Sequence, residues 1–273
     1  MKLRKITPRT PNFRFSKNTP RHWMPGSPFK THLLNSFTLI FPTGEKFFIR
    51  NIKKHMKKLN DPHLKWAAQN FIKQETQHYF EHEKFFDVLK AQGYSFEKEI
   101  KKFEKLIKNV LEKINGDELN LAVTAGLEHI TSLLAEISLS ENFLQGAPTE
   151  LKDLFDWHAA EEIEHRAVAF DVYNKAYGNY TLRVIGLLVA YAILGSSSLF
   201  FTAYLLKQDE KLFDRTTMAD FVSTFFTKEK LFFKAANIFI RYLHPEFHPD
   251  GQDIDALADS IFAKTSIYAQ ANA

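Results

Sequence analysis

The chain has 273 residues, 25% of them charged and 45% hydrophobic, a balance that excludes general disorder and suits one compact unit with additions. There is no cysteine, so disulfides, zinc–thiolate sites, iron–sulfur clusters and thiolate nucleophiles are excluded, and any metal must be held by carboxylate, imidazole, backbone or water. The formal net charge of +4 is uneven: residues 1–30 carry eight Lys or Arg and no acid, and Glu45 is the first acidic residue.

That basic start is interrupted by Pro8, Pro11, Pro20, Pro25 and Pro28, which predicts an irregular arm wrapping the domain. Contact with anionic lipid or nucleic acid is the alternative. No apolar run follows the basic residues, so a secretory signal peptide is not expected. Phe13, Phe15, Trp23 and Phe29 lie among the cations without any recognised nucleic-acid module, so no specific nucleic-acid partner is expected.

The rest reads as helix, with no sustained alternation of the kind a half-buried strand shows. A lead-in segment, His32 to Phe41, meets Pro42, which either opens the next helix in its first turn or lies within a longer one. Residues 1–42 are thus set apart as arm and lead-in. A first helix is expected from Thr43 to Leu59, and a second from the Asp61–Pro62 start to Ala91, stopped by Gly93. Phe96 to Ile114 is a charged amphipathic helix ended by Asn115 and Gly116. A third long helix runs from Asp117 to Leu144, and a fourth from Thr149 to Tyr177, which closes a unit spanning 43–178.

A helical extension, 179–273, follows. Val184 to Leu206 is 23 residues without a charge, between Arg183 and Lys207. About 20 apolar residues cross a hydrocarbon core, so membrane insertion is one expectation. A buried helix, or a helical pair broken near Gly195 to Ser198, is the other. Amphipathic segments at Thr217–Phe226 and Lys228–Leu243, an irregular His244–Pro249 stretch and a last helix from Asp253 to Tyr268 complete the chain.

Chemistry concentrates in two tetrapeptides. Glu75-Thr76-Gln77-His78 and Glu162-Ile163-Glu164-His165 each place a carboxylate and an imidazole at i,i+3, on one helix face, where both reach a single ion. Each is preceded by a helix offering one well-placed glutamate, Glu45 and Glu128. The order Glu, Glu-x-x-His, Glu, Glu-x-x-His matches the ligand arrangement of di-iron and di-manganese bundles. Glu128 is preferred to Glu118 and Glu136 because its neighbours are mostly apolar and a charge buried there needs a partner. The expected site is therefore Glu45, Glu75, His78, Glu128, Glu162 and His165, with Glu161 and His165 at i,i+4 a competing register. Four carboxylates would neutralise two divalent ions, and the donors suit iron or manganese without excluding zinc. His82 and His158 fall on the same faces, as partners that orient the ligands, as extra ligands or as proton carriers. His129, beside Glu128, points away.

Phe41-Pro42-Thr43-Gly44-Glu45, Gln74-Glu75-Thr76-Gln77-His78, the block Trp157 to His165 and the block Tyr242 to Pro249 resemble the bacterial family of predicted metal-dependent hydrolases, a ferritin-like group. The resemblance runs from about Phe41 onward. It implies an all-α, ferritin-like four-helix bundle with additional C-terminal helices, and its ligand pattern falls on the same six residues. His244 and His248, with Pro245 between them, are expected in an ordered turn closing over the bundle, or else near the site.

The dinuclear site is compatible with an oxygen-using oxidase or oxygenase acting on an apolar small molecule, with a metal-dependent hydrolase, the label the resemblance carries, and with metal handling without a substrate. A cytoplasmic protein is expected, as a possible homodimer, with membrane attachment through 184–206 the alternative.

Overall fold

Caps of the same kind start the first two helices. In α1 (Pro28–His55) the Ser27 side chain accepts from the Lys30 amide, and Pro28 occupies the first turn, where a missing N–H costs nothing. In α2 (Pro62–Ala91) Asp61 accepts from the amides of His63 and Leu64, again with proline next. Gly93, at φ +89°, then turns the chain away in a conformation that favours glycine.

A computed structural model describes residues 5–113, 116–251 and 253–264. Among these residues the protein is all-α, with no strand. After α2 come α3 (Glu97–Leu106), continued by a π-helical turn over Ile107–Glu112, α4 (Gly116–Ser140), α5 (Thr149–His165), α6 (Val168–Ala176), α7 (Tyr180–Gln208), α8 (Arg215–Val222), α9 (Leu231–Tyr242) and α10 (Asp255–Lys264). The expected helix end at Ile114 and Asn115, and the last helix beyond 264, lie outside the described residues.

α4 ends at Ser140, before the expected Leu144, and in three places the structure decides or corrects helix continuity. Pro42 lies inside α1, so the lead-in and the first helix are one element, and the longer-helix alternative holds. The expected helix 149–177 breaks after His165. There Arg166 donates to the Ile163 carbonyl at 2.7 Å, competing for an acceptor that a continued helix would use, and reaches Asp255 at 2.8 Å and the Pro249 carbonyl at 3.2 Å. α7 is uninterrupted, so of the alternatives for 184–206 the helical pair broken near Gly195–Ser198 is not found; the Ser197 and Ser198 hydroxyls bond back to Ile193 and Gly195 carbonyls within the helix.

α7 seats one face on α4 and α1, and against α4 the contact runs through glycine. A Cβ on Gly186 would lie 2.6 Å from the Ala122 carbonyl carbon, and one on Gly126 would lie 3.0 Å from Leu187 Cα, so the two backbones approach as only glycine permits. The core divides along the helices. Phe47, Ile52, Phe71, Leu121 and Phe170 pack at one end, and Leu39, Phe85, Leu89, Leu151 and Phe155 at the other. On α1, α2 and α5 the residues between those clusters are Glu45, the Glu75–His78 pair and the Glu162–His165 pair, a buried polar layer set between two apolar ones.

The arm runs irregularly from residue 5 to α1. Phe13 packs with its ring tilted against Trp157, centroids 5.6 Å apart, and Trp23 donates to Asn35. In the tail, Phe221 and Phe225 pack on Phe29 of α1, α10 lies on α5, and His248 reaches Asp171 at 2.9 Å. The His244–Pro249 stretch thus turns against α6 and α7, away from the polar layer.

Candidate metal centre

All six residues singled out from spacing converge in the polar layer, each at most 3% exposed. α1 supplies Glu45, α2 supplies Glu75 and His78, α4 supplies Glu128, and the last turn of α5 supplies Glu162 and His165. One ligand atom from each of Glu45, Glu75 and His78 lies within 4.8 Å of the others, and the same holds for Glu75, Glu128 and His165. Glu75 belongs to both groups: its Oε1 is 3.5 Å from His78 Nδ1 and 3.2 Å from His165 Nε2. Glu162 spans the same two imidazoles from the opposite helix, with Oε1 3.8 Å from His78 Nδ1 and Oε2 3.7 Å from His165 Nε2. Glu45 lies at the His78 end and Glu128, 3.3 Å from His165 Nε2, at the other.

These contacts are close enough for strong electrostatics but are not aligned as hydrogen bonds. Among the described residues, both oxygens of Glu45, Glu75 and Glu128, with His78 Nδ1 and His165 Nε2, are buried without a hydrogen-bond partner. Leaving one such charged atom unpaired costs several kcal/mol, so a cluster of eight requires positive charge in its midst. Burial, together with the neighbouring carboxylates, pushes Glu45 and Glu128 well above the usual carboxylate range. Against its burial, His78 is pushed up to about 10 by Glu161 and Glu75, and His165 rises through Glu128 and Glu162. Without an ion that field draws a second proton onto each imidazole; a metal cation would take that proton's place and leave the inward nitrogen as a lone-pair donor.

The outer nitrogens explain which atoms face inward. His78 Nε2 donates to Glu161 Oε2 at 3.1 Å, a carboxylate that only accepts, so Nδ1 presents its lone pair to the cluster. His165 Nδ1 donates to Gln74 Oε1 at 3.1 Å, which leaves Nε2 facing inward. Gln74 is held in turn: its amide donates to Glu164 Oε2 at 2.6 Å. Arg9, from the irregular arm, donates to both oxygens of Glu164 at 3.0 and 3.1 Å and to Glu161 Oε1 at 3.0 Å. Glu161 is thereby drawn onto Arg9 and the far side of His78, and the competing i,i+4 register does not converge on the cluster. Fixing an imidazole's tautomer through its second nitrogen is how metal-binding histidines are oriented.

His82 and His158 form a directed chain on the other side. Thr38 donates to His82 Nδ1 at 3.3 Å, His82 Nε2 to His158 Nδ1 at 2.7 Å, and His158 Nε2 to Glu162 Oε1 at 2.9 Å. Burial holds His82 low and brings His158 down to about 4, so both are neutral. Glu162 is kept well below the usual range, the His158 and His165 contacts overcoming its burial. His129 packs between Tyr242 and Phe247 outside this layer.

Two apolar pockets reach the centre and share Phe41, Thr131, His158 and Glu162. The larger, about 100 Å³, extends between Leu33, Phe37, Leu134, Phe143 and Phe155 to Leu231 at the start of α9. The other runs past Glu45 to Ile107 and Leu111 of the π turn and to Ile193 and Ser197 of α7. Thr131 donates to Glu162 Oε2 at 2.5 Å where the two meet.

Spacing alone did not reveal Arg9, Thr131 or the use of Gln74. Arg9 sits in a segment without periodicity, and Gln74, next to Glu75, looks directed to another face until α5 is packed against it. The model of a family described as predicted metal-dependent hydrolase matches residues 7–253. No curated protein matches the chain, and no solved structure does.

Proposed function

The chain belongs to the predicted metal-dependent hydrolase family, and from this membership and the geometry of the polar layer we propose that it is a dinuclear metal-dependent hydrolase acting on a substrate with an apolar body. The observation that carries the proposal is the pair of imidazoles, each spending its outer N–H on a fixed acceptor and turning a lone pair onto buried carboxylate oxygens that have no hydrogen-bond partner. Glu45 and His78 would hold one ion and Glu128 and His165 the other, with Glu75 and Glu162 in reach of both imidazoles. Four carboxylates balance two divalent ions, and donors of this kind suit iron, manganese or zinc. Bound there, two such ions would polarise a carbonyl or phosphoryl centre and lower the pKa of a water.

The chain's own residues supply the rest. Phe37, Phe41, Leu134 and Phe155 exclude bulk water and align the apolar body beside Glu162. His158, in the pocket wall, turns its Nε2–H onto Glu162 Oε1, and His82, with Thr38 behind it, fixes that tautomer by donating to Nδ1. Arg9 and Gln74 keep the two imidazoles oriented.

A second reading, oxygen-dependent oxidation of an apolar molecule in a ferritin-like bundle, is favoured by the pocket itself. Beside the cluster its walls offer few polar groups to hold a polar substrate, chiefly His158 and Thr131. Metal analysis tests the shared foundation: about two ions per chain are expected in the wild type and far fewer in a Glu75→Ala, Glu162→Ala variant whose circular dichroism still reports helix. Unchanged metal content in that variant would remove the proposal. The metal-loaded enzyme should then cleave apolar acyl or phosphoryl esters without oxygen. Turnover only with oxygen uptake would establish the second reading instead, and uptake of many ions with neither activity would indicate metal handling.

A further inference from the structure

The corner formed by α8, the π turn Ser223–Thr227 and α9 keeps its aromatic side chains outside the core. Phe226, Phe232 and Phe233 are 42, 53 and 56% exposed, and they are contiguous: the Phe226 and Phe232 rings lie 5.6 Å apart, as do those of Phe232 and Phe233. Ile240, two turns along α9, is 65% exposed. Cations edge this apolar patch. Residues 215–241 contain five Lys or Arg and two acids, Asp220 and Glu229; Glu229 is already paired with Lys30 at 2.5 Å, and Lys234 with Glu141. Lys228 and Lys230 are exposed. Lys230 has φ +54°, and the chain reverses there, so that Leu231 enters the wall of the pocket leading to the metal centre while the next two residues remain outside.

Phenylalanines embedded among exposed lysines on an amphipathic element are what an anionic membrane interface binds, the rings entering the acyl boundary and the ammonium groups meeting the headgroups. A second copy of the chain suits the corner poorly. A two-fold contact centred on it would press Lys228 and Lys230 against their own counterparts, with few acids nearby to compensate. We propose that this corner docks on the surface of an anionic lipid bilayer, which sets the Leu231 end of the pocket against the lipid. α7 continues the same chemistry beside it: Tyr191 donates to the Ala235 carbonyl of α9 at 2.8 Å, and Ile185, Leu188 and Leu199 form an exposed stripe at helical spacing. α7 is long and apolar enough to cross a membrane, but its opposite face is built into the packing with α4 and α1. Docking retains that packing, whereas crossing would strip it.

The test is flotation of the full-length, metal-loaded protein with vesicles, which reads binding whatever reaction the centre performs. Vesicles of phosphatidylcholine with phosphatidylglycerol should carry the protein, and pure phosphatidylcholine vesicles much less of it. Phe232→Ser with Phe233→Ser should weaken binding by about tenfold or more, and Lys228→Glu with Lys230→Glu should abolish the preference for anionic lipid. The lysine pair lies in an exposed turn, so that variant carries the test even where the phenylalanine variant folds poorly. Absence of binding to either vesicle, or equal flotation of wild type and the lysine variant, overturns the proposal. So does a dimer by light scattering that the phenylalanine substitutions dissociate.

Discussion

Each imidazole at the centre has one nitrogen committed to a fixed acceptor and the other turned inward, and Arg9 stabilises both commitments at once. Its guanidinium grips Glu164 with two nitrogens and touches Glu161, which orients His78, while Glu164 holds the Gln74 amide and thereby the acceptor of His165. Arg9→Gln should therefore lower metal affinity by about 10–100-fold, read by competition with a chelator. Arg9→Lys should recover little, because an ammonium cannot grip both oxygens in the plane of the carboxylate. Affinity equal to wild type in both variants would mean that the arm only packs against the domain. The ligand candidates themselves were legible, since i,i+3 pairs share a helix face whatever the tertiary structure. Arg9 was not, because it lies about 150 residues from the carboxylates it binds, in a segment with no period to read.

The elements place those side chains through close backbone contact. α4 must approach α7 to bring Glu128 into the plane of the centre, and Gly186 against Ala122 makes that approach possible. Gly186→Ala should cost about 1–3 kcal/mol in chemical denaturation, since the new methyl meets backbone that cannot move aside as a flexible side chain would. Gly195→Ala is the control. Nothing lies within 4 Å of a Cβ there, so stability should hold or rise by up to about 1 kcal/mol. Equal losses at both positions would count against the packing argument. Most helices could be read from periodicity and caps, and α2 matches its expected start at Pro62 and end at Ala91. The break after His165 could not, because Arg166 is drawn to Pro249 and Asp255, partners that only the returning tail supplies.

At the scale of the molecule, the arm, α1 and the end of α7 are tied through one carboxylate. Asp209 Oδ2 accepts from His22, His32 and Tyr94, each at 2.7 Å, and its Oδ1 accepts from Arg21. This is a His and carboxylate group apart from the polar layer, but the guanidinium supplies its counter-charge and the donors satisfy its oxygens, so it ties elements together without needing an ion. Against the effect of burial, those donors hold the Asp209 carboxyl below the usual range. A depressed carboxylate adds stability above its unfolded pKa and loses it as pH falls through the lower folded value. Asp209→Asn should thus be less stable by about 2 kcal/mol near neutrality, the gap closing below about pH 4 in acid denaturation series. A gap independent of pH would mean that Asp209 acts through shape alone. What the sequence determined by itself was local: the all-α class, the Asp61 cap and the two i,i+3 Glu and His pairs follow from spacing and side-chain chemistry within a few turns. The tertiary structure alone decided which glutamates have no partner, which nitrogen of each histidine faces inward, and that an irregular basic arm supports the centre. Those features depend on groups brought together from distant parts of the chain, and burial sets their charge only once the helices have packed.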